Sequence, residues 1–484
     1  MSIQFHHGPR VIDHGHERPL FQTPQSAVIW LQGTAPEADE AIFAENQPFL
    51  FYPSNRSLAE RLGSAGTIPE QLTNIWRQGG LNSYLGAYIF VNIVPKDADP
   101  NVQLSHHVGS ASALTGVHAA KKVDSDYGKK LRPRLFCVPG FTDALATDGI
   151  SAINVLTEGT GYGENTFATW SGGGGAAAEL RVNVEGGKVT SIIPFLPGFG
   201  FTSAPTITII DPDGGGSGAT AEASVGAVGN PVAHELVPLL EEYKAVGFID
   251  GPNTTDSDAV VTRAKYGSDR LMMVDPQVLA WDSTDQNFYV PYPASAMFAG
   301  VQARVDHQIG FFKSVSNEPI HGVDNTNRPI TYGNQTNYLN ENCVSTVVNF
   351  GEGFLTWGNR SLANKFLSQR RARDFINEAI EDAVRIYVDR AMTEANLKFL
   401  EADIRGFMRS LAGQDFVYPD FVTKFDPEKN TKEMLKAGKV VLDLAYETPP
   451  PMEDIKVDAY DYPPAYELLI DRVNNSITEG ALST

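Results

Sequence analysis

Three stretches of this chain have one form, a short apolar run that stops at an aspartate or a proline. Leu135-Phe136-Cys137-Val138 stops at Pro139-Gly140, Val246-Gly247-Phe248-Ile249 at Asp250, and Leu271-Met272-Met273-Val274 at Asp275. Side chains alternate between the two faces of a strand, so a run that is apolar throughout needs cover on both faces. Parallel sheets provide that cover, because their crossover helices coat both sides. Ser26–Leu31, Pro48–Tyr52 and Tyr84–Val94 are further strands by β-branched and aromatic content. Helices are expected between them. One is capped by Asn55 or Ser57 and runs through Leu62, and one has Pro69 in its first turn and runs through Trp76. A third covers His234–Lys244 with the stripe Leu236, Leu239, Leu240 and Tyr243. Strand and helix in alternation give an α/β (α+β) multidomain chain.

Residues 151–227 break that pattern. They are rich in Gly, Ala, Thr and Ser, nearly free of Lys and Arg, and lack helical periodicity. They also repeat at an offset of about 40 residues. Gly159-Thr160-Gly161-Tyr162 is matched by Gly198-Phe199-Gly200-Phe201, and Gly173–Ala178 by Gly215–Ala221. Since buried-strand runs lie on both sides, this segment reads as a small all-β insertion in the α/β domain. The last third turns helical. Phe375, Ile376, Ile380, Val384, Tyr387, Val388 and Ala391 define one apolar face. Leu397, Leu400, Ile404, Phe407, Met408 and Leu411 define a second, stopped near Gly413. A strand over Val440–Tyr446 follows, ended by Pro449-Pro450-Pro451. The polar opening, residues 1–22, and the loosely patterned end, residues 463–484, are expected to be extended arms.

Motifs for chemistry are sought and fail. Glycines 172–175 are followed by no Lys-Ser or Lys-Thr, so they are no phosphate loop. His234-Glu235 begins like a zinc-protease helix, but Pro238 occupies the place of the second histidine. His6, His7, His14 and His16 are the best metal ligands by type, yet no cysteine or placed carboxylate completes a set. Glu241-Glu242 and Glu381-Asp382 fall on solvent faces of helices. No cofactor, metal or catalytic residue is expected. The formal charge of -20 over 484 residues disfavours nucleic acid, whose phosphates need clustered cations. Cys137 and Cys343, distant in sequence, are expected to be buried thiols. The start carries no signal-peptide pattern and no run suits a membrane helix, which implies synthesis in a cytoplasm and no membrane partner.

Several segments resemble one family in a shared order. Phe5-His6-His7-Gly8-Pro9-Arg10-Val11-Ile12, Ser26–Ile29 and Gly33-Thr34-Ala35-Pro36 look like the opening of contractile phage tail sheath proteins. Tyr266-Gly267-Ser268-Asp269-Arg270, Asp275-Pro276, Trp281-Asp282, Pro293–Ala296, Ala303-Arg304-Val305-Asp306, Lys313–Asn317 and Trp357-Gly358-Asn359-Arg360 continue the likeness. Phe425-Asp426-Pro427-Glu428-Lys429-Asn430-Thr431 and Gly438-Lys439 close it. The 151–227 segment departs from the smaller sheath subunits of P2-like phages and R-type pyocins.

The resemblance implies a conserved α/β core built from N- and C-terminal sequence and a subtilisin-like middle domain. The expected divisions are an arm at 1–22, an N-terminal part at 23–104 and a middle domain at 105–150 and 228–360. The β insertion at 151–227, a C-terminal core domain at 361–462 and a second arm at 463–484 complete them. It implies a subunit that polymerises around a tail tube in a virion, is assembled in the host cytoplasm, and meets tube, baseplate and terminator proteins. The alternative is a virion-associated or surface hydrolase with a β accessory domain. Two surfaces are singled out. Phe5, Val11 and Ile12, with Leu468, Leu469 and Ile470, are expected to add strands to neighbouring subunits. Lys398, Arg405 and Arg409 on one helix, and Lys429, Lys432, Lys436 and Lys439 at three- and four-residue steps, are expected to form a basic face for an acidic tube.

Overall fold

The computed structural model describes residues 25–481 except 53, 81–84 and 281–288. The chain forms two units, one ending at Pro450 and one of Pro451–Thr484.

The first unit is built on a nine-stranded sheet. Its strands in chain order are Val28–Gly33, Phe49–Phe51, Tyr88–Ile93, Leu135–Cys137, Val246–Asp250, Leu271–Val274, Glu318–Pro319, Val344–Asn349 and Phe354–Trp357. In space the order runs 318–319, 354–357, 344–349, 271–274, 246–250, 135–137, 28–33, 88–93, 49–51. The six central strands are parallel. The outer three are antiparallel to their neighbours. All three runs that stop at Asp or Pro are therefore central parallel strands, whereas Phe49–Phe51 is an antiparallel edge strand. The Val28 strand pairs with both the Tyr88 and the Leu135 strand. The N-terminal strands thus belong to the same sheet as the strands of the middle segment.

Alternate side chains enter two cores. Ile29, Leu31, Leu135, Phe248 and Met272 pack on one face with the helices Ile68–Arg77 and Ser295–Gln308. Trp30, Phe136, Ile249 and Met273 pack on the other with Leu236, Leu239, Leu240 and Tyr243 of the helix Pro231–Tyr243. That helix begins where Asn230 accepts hydrogen bonds from the Val232 and Ala233 amides and Pro231 fills the first position, where no amide is needed. Both cysteines are buried and free, and burial raises the Cys137 thiol well above its ordinary pKa.

The insertion leaves the body through the strand Ala146–Thr157 and returns through Thr220–Val228, with Ala146 paired to Val228. Its four-stranded sheet and the hairpin Ala176–Glu185/Lys188–Phe199 enclose a core of Ile150, Tyr162, Leu180, Val189, Ile192 and Phe201. The sequence repeat has a structural meaning. Gly159 and Gly161 have φ of 64° and 81°, and their counterparts Gly198 and Gly200 have 64° and 75°, a left-handed turn that favours glycine. Each turn delivers an aromatic ring to the shared core. A Cβ on Gly216 would sit 2.3 Å from the Tyr162 ring, and one on Gly175 would sit 2.4 Å from the Phe201 ring. The ring of each repeat rests on a glycine of the other.

In the last third, the helix Leu367–Val384 is held by buried charges. Arg134, just before one strand, donates to Glu378 at 2.7 Å. Arg270, just before another, donates to Asp374 at 2.5 and 3.1 Å. Arg371 reaches back to Asp306 on the Ser295–Gln308 helix at 2.8 Å. Burial alone would raise the Asp374 carboxyl, but hydrogen bonds from Arg270 and Arg370 outweigh it and hold its pKa below the ordinary value. The expected continuation of this apolar face through Ala391 is corrected. The helix stops at Val384, a single 3-10 turn covers Arg385–Tyr387, and Val388 is exposed. A second helix, Glu394–Ala412, starts at Thr393, whose side chain accepts from the Asn396 amide. The strand expected over Val440–Tyr446 is shorter, Asp443–Ala445, paired with Val422–Lys424.

Another buried carboxyl, Asp250, has no ion pair among the described residues. It accepts from the Ser295 amide at 3.0 Å, the Ser295 hydroxyl at 2.8 Å and the Gly140 amide at 3.2 Å. Burial, against these bonds, pushes its pKa up to about 7.

Arg371→Ala strands Asp306 in the interior and should destabilise the body by about 3–5 kcal/mol, read from the urea midpoint. The double replacement Arg371→Met with Asp306→Leu should cost less, since no charge is left unpaired. For Asp250 the folded pKa lies above the unfolded value of about 4. Its contribution is complete below that value and is lost as pH rises through about 7. The unfolding midpoint of Asp250→Asn should therefore fall less than that of the parent between pH 5 and pH 8.

Candidate assembly surface

The carboxyl ends of the central strands are where an α/β sheet would hold an active site. Here Asp250 ends one strand, with Ser295 and Thr142 beside it. Ser295 gives its hydroxyl proton directly to Asp250, and both residues are buried. No imidazole stands between them to accept that proton, as a nucleophilic serine requires. His107 lies under Phe141, ring centroids 3.7 Å apart, and burial drops its pKa to about 3, so it is neutral. Among the described residues no group of three His, Cys, Asp or Glu could hold a metal ion, and no helix is long and apolar enough to cross a membrane. The arrangement is a structural hydrogen-bond knot.

The surface features lie in the last third. The basic residues singled out from the sequence are divided by their partners. Lys398 is bound to Glu394 at 2.6 Å, Arg405 to Glu401, and Lys429 to Asp443 at 2.8 Å. Arg409, Lys432, Lys436 and Lys439 form no ion pair among the described residues. The expected helical basic face over 429–439 is corrected: the helix covers only Lys432–Lys436, capped by Thr431. Lys429 and Lys439 lie outside it. The Glu394–Ala412 helix buries Ile404, Met408 and Leu411 in a small core with Ile376, Val417 and Tyr446. Val388, Phe399 and Val422 stay exposed.

Beside this core lies a ribbon of two strands, with Val422 opposite Ala445, Thr423 opposite Leu444 and Lys424 opposite Asp443. Among the described residues nothing pairs with either outer edge. A two-stranded ribbon is marginal alone, and each free edge presents unpaired amides and carbonyls to an incoming strand.

The second unit is exposed along its length. Residues 451–462 have no helix or strand, yet Val457 and Tyr460 are 81% and 86% exposed. The alternation Ile455-Lys456-Val457-Asp458 suits a strand awaiting a partner. Leu468, Leu469 and Ile470 lie in the helix Pro464–Ala481, so the expected extended arm over 463–484 is corrected. Its run Leu468-Leu469-Ile470, flanked by Tyr466 and Val473, has helical spacing that the loose end patterning concealed. Phe5, Val11 and Ile12 lie outside the described residues.

Residues 226–362 match the phage tail sheath protein central domain, and residues 363–460 match the phage tail sheath C-terminal domain. A putative prophage major tail sheath protein of Pseudomonas aeruginosa (strain UCBPP-PA14) is 36% identical over 232 residues, 46% of this chain and 59% of that protein. The tail sheath protein of Burkholderia phage BcepMu is 33% identical over 245 residues, 46% of this chain and 51% of that protein. The matched region thus spans between half and three fifths of the curated relatives' length. Among solved structures, the sheath complex of the extracellular contractile injection system PVC, in its contracted state, has a TM-score of 0.57 at 12% identity. That likeness covers 96% of this chain and 99% of that one. The contracted helical sheath of the anti-feeding prophage has a TM-score of 0.54 at 15% identity over 94% and 99%. These two speak for the fold. Residues 226–460 of this chain thus match, in order, the central and the C-terminal domain of phage tail sheath proteins.

Proposed function

We propose that the chain is the structural subunit of a contractile tail sheath. It polymerises around a tail tube, and its contraction drives that tube through a host envelope. The observation that carries this reading is the run of unburied apolar side chains from Met452 to Ile477, in a chain whose matched domains are those of sheath proteins. A subunit of a virion tail, assembled in the host cytoplasm, would cover this run only in the lattice. The ribbon edges at Val422–Lys424 and Asp443–Ala445 receive strands from other copies, with residues 1–22 and 451–462 as donors. Main-chain hydrogen bonds then keep subunits linked while their bodies move.

The tail tube is the inner partner, and baseplate and terminator proteins close the two ends. Arg409, Lys432, Lys436 and Lys439 are the cations available for an acidic neighbour. The β insertion is outward decoration: its ends meet at the Ala146–Val228 pair, so it can be removed without stretching the body. The hydrolase reading finds no support in the Asp250–Ser295 pair.

Electron microscopy of the purified, concentrated chain should reveal wide hollow tubes. Deletion of residues 451–484 should abolish them while circular dichroism still reports a folded body. Tubes that persist after both termini are removed would overturn the strand-exchange reading. Replacing residues 147–227 by a short glycine linker removes Phe199 from the body core; it should leave tube formation intact and lower the thermal midpoint of the body by roughly 10 degrees. Loss of folding in that variant would show the insertion to be part of the body.

A further inference from the structure

Beside the Asp250–Ser295 knot the body holds a cavity of about 340 Å³. It lies outside the carboxyl ends of the strands Leu135–Cys137 and Val246–Asp250, where open α/β sheets hold ligands. One wall is the segment that leads into the insertion, Asp143, Ala144 and Leu145. The Asn230 side-chain amide fixes that wall by donating to the Ala144 carbonyl at 2.8 Å. The facing wall is Pro252 and Thr254, followed by Asp258, Val261 and Thr262 of the helix Asp256–Arg263.

The polar groups of this cavity lack partners. Thr262 is 3% exposed, yet its hydroxyl has no hydrogen bond among the described residues. Asp143 and Asp258 have no ion pair among them either. Burial raises the Asp143 carboxyl above its ordinary pKa, and the Asp143 charge adds to the rise at Asp250. Asp258 stands at the exposed rim, where the Thr254 hydroxyl donates to it at 2.8 Å and lowers its pKa. The remaining lining is apolar, chiefly Leu145, Pro252 and Val261.

Charge and lining together indicate the ligand. Both carboxylates repel an anion. A divalent metal needs more oxygen ligands than these side chains supply, and among the described residues no group of three His, Cys, Asp or Glu could hold one. A neutral ligand would leave Asp143 without a counter-charge. A primary ammonium has three N–H donors, one for each carboxylate and one for the Thr262 hydroxyl. Its methylenes would lie along Leu145, Pro252 and Val261, as lysine stems do on apolar surface.

We propose that this cavity binds a primary alkylammonium group, a lysine side chain or a free aliphatic amine, between Asp143, Asp258 and Thr262. The site is independent of the sheath reading. An occupant pins the root of the insertion to the helix Asp256–Arg263.

The test titrates n-butylammonium chloride into the dilute full chain, with isotope-labelled threonine and valine methyl groups followed by NMR. Saturable shifts at Thr262 and Val261 are expected, with no response to n-butanol, which has the same carbon chain and no charge. Asp143→Asn should fold with an unchanged or higher thermal midpoint and bind butylammonium ~10-fold or more weakly. Thr262→Val should weaken binding to a smaller extent. Absent or non-saturating shifts, an equal response to butanol, or full affinity in Asp143→Asn would overturn the proposal. A lower thermal midpoint in Asp143→Asn with unaltered amine affinity would assign that carboxylate a structural role instead. Carbodiimide coupling of mixed heavy and light copies, with and without cadaverine, then separates the two sources. An amide from Asp143 to a lysine of another copy identifies a side chain, and modification by cadaverine alone identifies a free amine. No amide at Asp143 under either condition would overturn the site.

Discussion

The helix Leu367–Val384 is fixed by arginine–carboxylate pairs that lie almost wholly out of water, and the C-terminal third of the first unit depends on that anchorage. Arg134 and Arg270 stand immediately before the strands Leu135–Cys137 and Leu271–Val274, so their positions are set by the sheet register. They grip Glu378 and Asp374 one turn apart, while Arg371 grips Asp306 from the other side of the joint. Pairs like these add less stability than well-packed apolar side chains of equal volume, because both ions lose their hydration. What they add is direction: a misplaced helix would leave charges buried without partners. The joint lies at the boundary between the two matched family domains, between residues 362 and 363. The pairs make the connection between those two matched segments a stiff one.

The sheet was readable in the sequence where strands are buried on both faces. The runs ending at Pro139, Asp250 and Asp275 needed nothing beyond their own composition. The helix Ser295–Gln308 was not readable, and the reason is physical. Every residue from Ser295 to Asp306 is buried, so the helix has no wet face and no stripe. Its polar members are satisfied by distant partners, Arg304 by the Gln78 and Pro319 carbonyls and Asp306 by Arg371. Nor could local pattern reveal that the Val28 strand would lie beside the Leu135 strand, since that pairing belongs to topology. The glycine-rich repeat was visible as a repeat, but its meaning lay in three dimensions, where Tyr162 and Phe201 each rest on a glycine of the other unit.

The candidate surface was legible in part. Basic residues were found by spacing, yet spacing carries no information on whether a neighbouring carboxylate already holds them. Glu394, Glu401 and Asp443 remove three of the seven from the unpaired set. Helical periodicity over 429–439 was equally misleading, because the helix needs Thr431 as its cap and ends at Lys436. In the tail, Leu468-Leu469-Ile470 taken alone suits a strand as well as a helix. Only the wider spacing from Tyr466 to Ile477 separates them.

These differences converge on one division of the molecule. In the body, several difficult groups find internal partners: Asp250 in serine and backbone donors, Arg134 in Glu378 and the Tyr243 carbonyl, the repeat aromatics in glycines. Among the described residues, more than half of the large exposed apolar side chains fall between Ile386 and Ile477, under a fifth of the chain. Charge lies beside these side chains, with carboxylates interleaved among Ile455, Val457, Tyr460 and Tyr462. Interleaving opposes non-specific collapse, because burying those side chains against an arbitrary surface would also desolvate their acidic neighbours. A surface that offers open strand edges and cations free of ion pairs removes that penalty; among the described residues the ribbon Val422–Lys424/Asp443–Ala445 and the side chains Arg409, Lys432, Lys436 and Lys439 have that character.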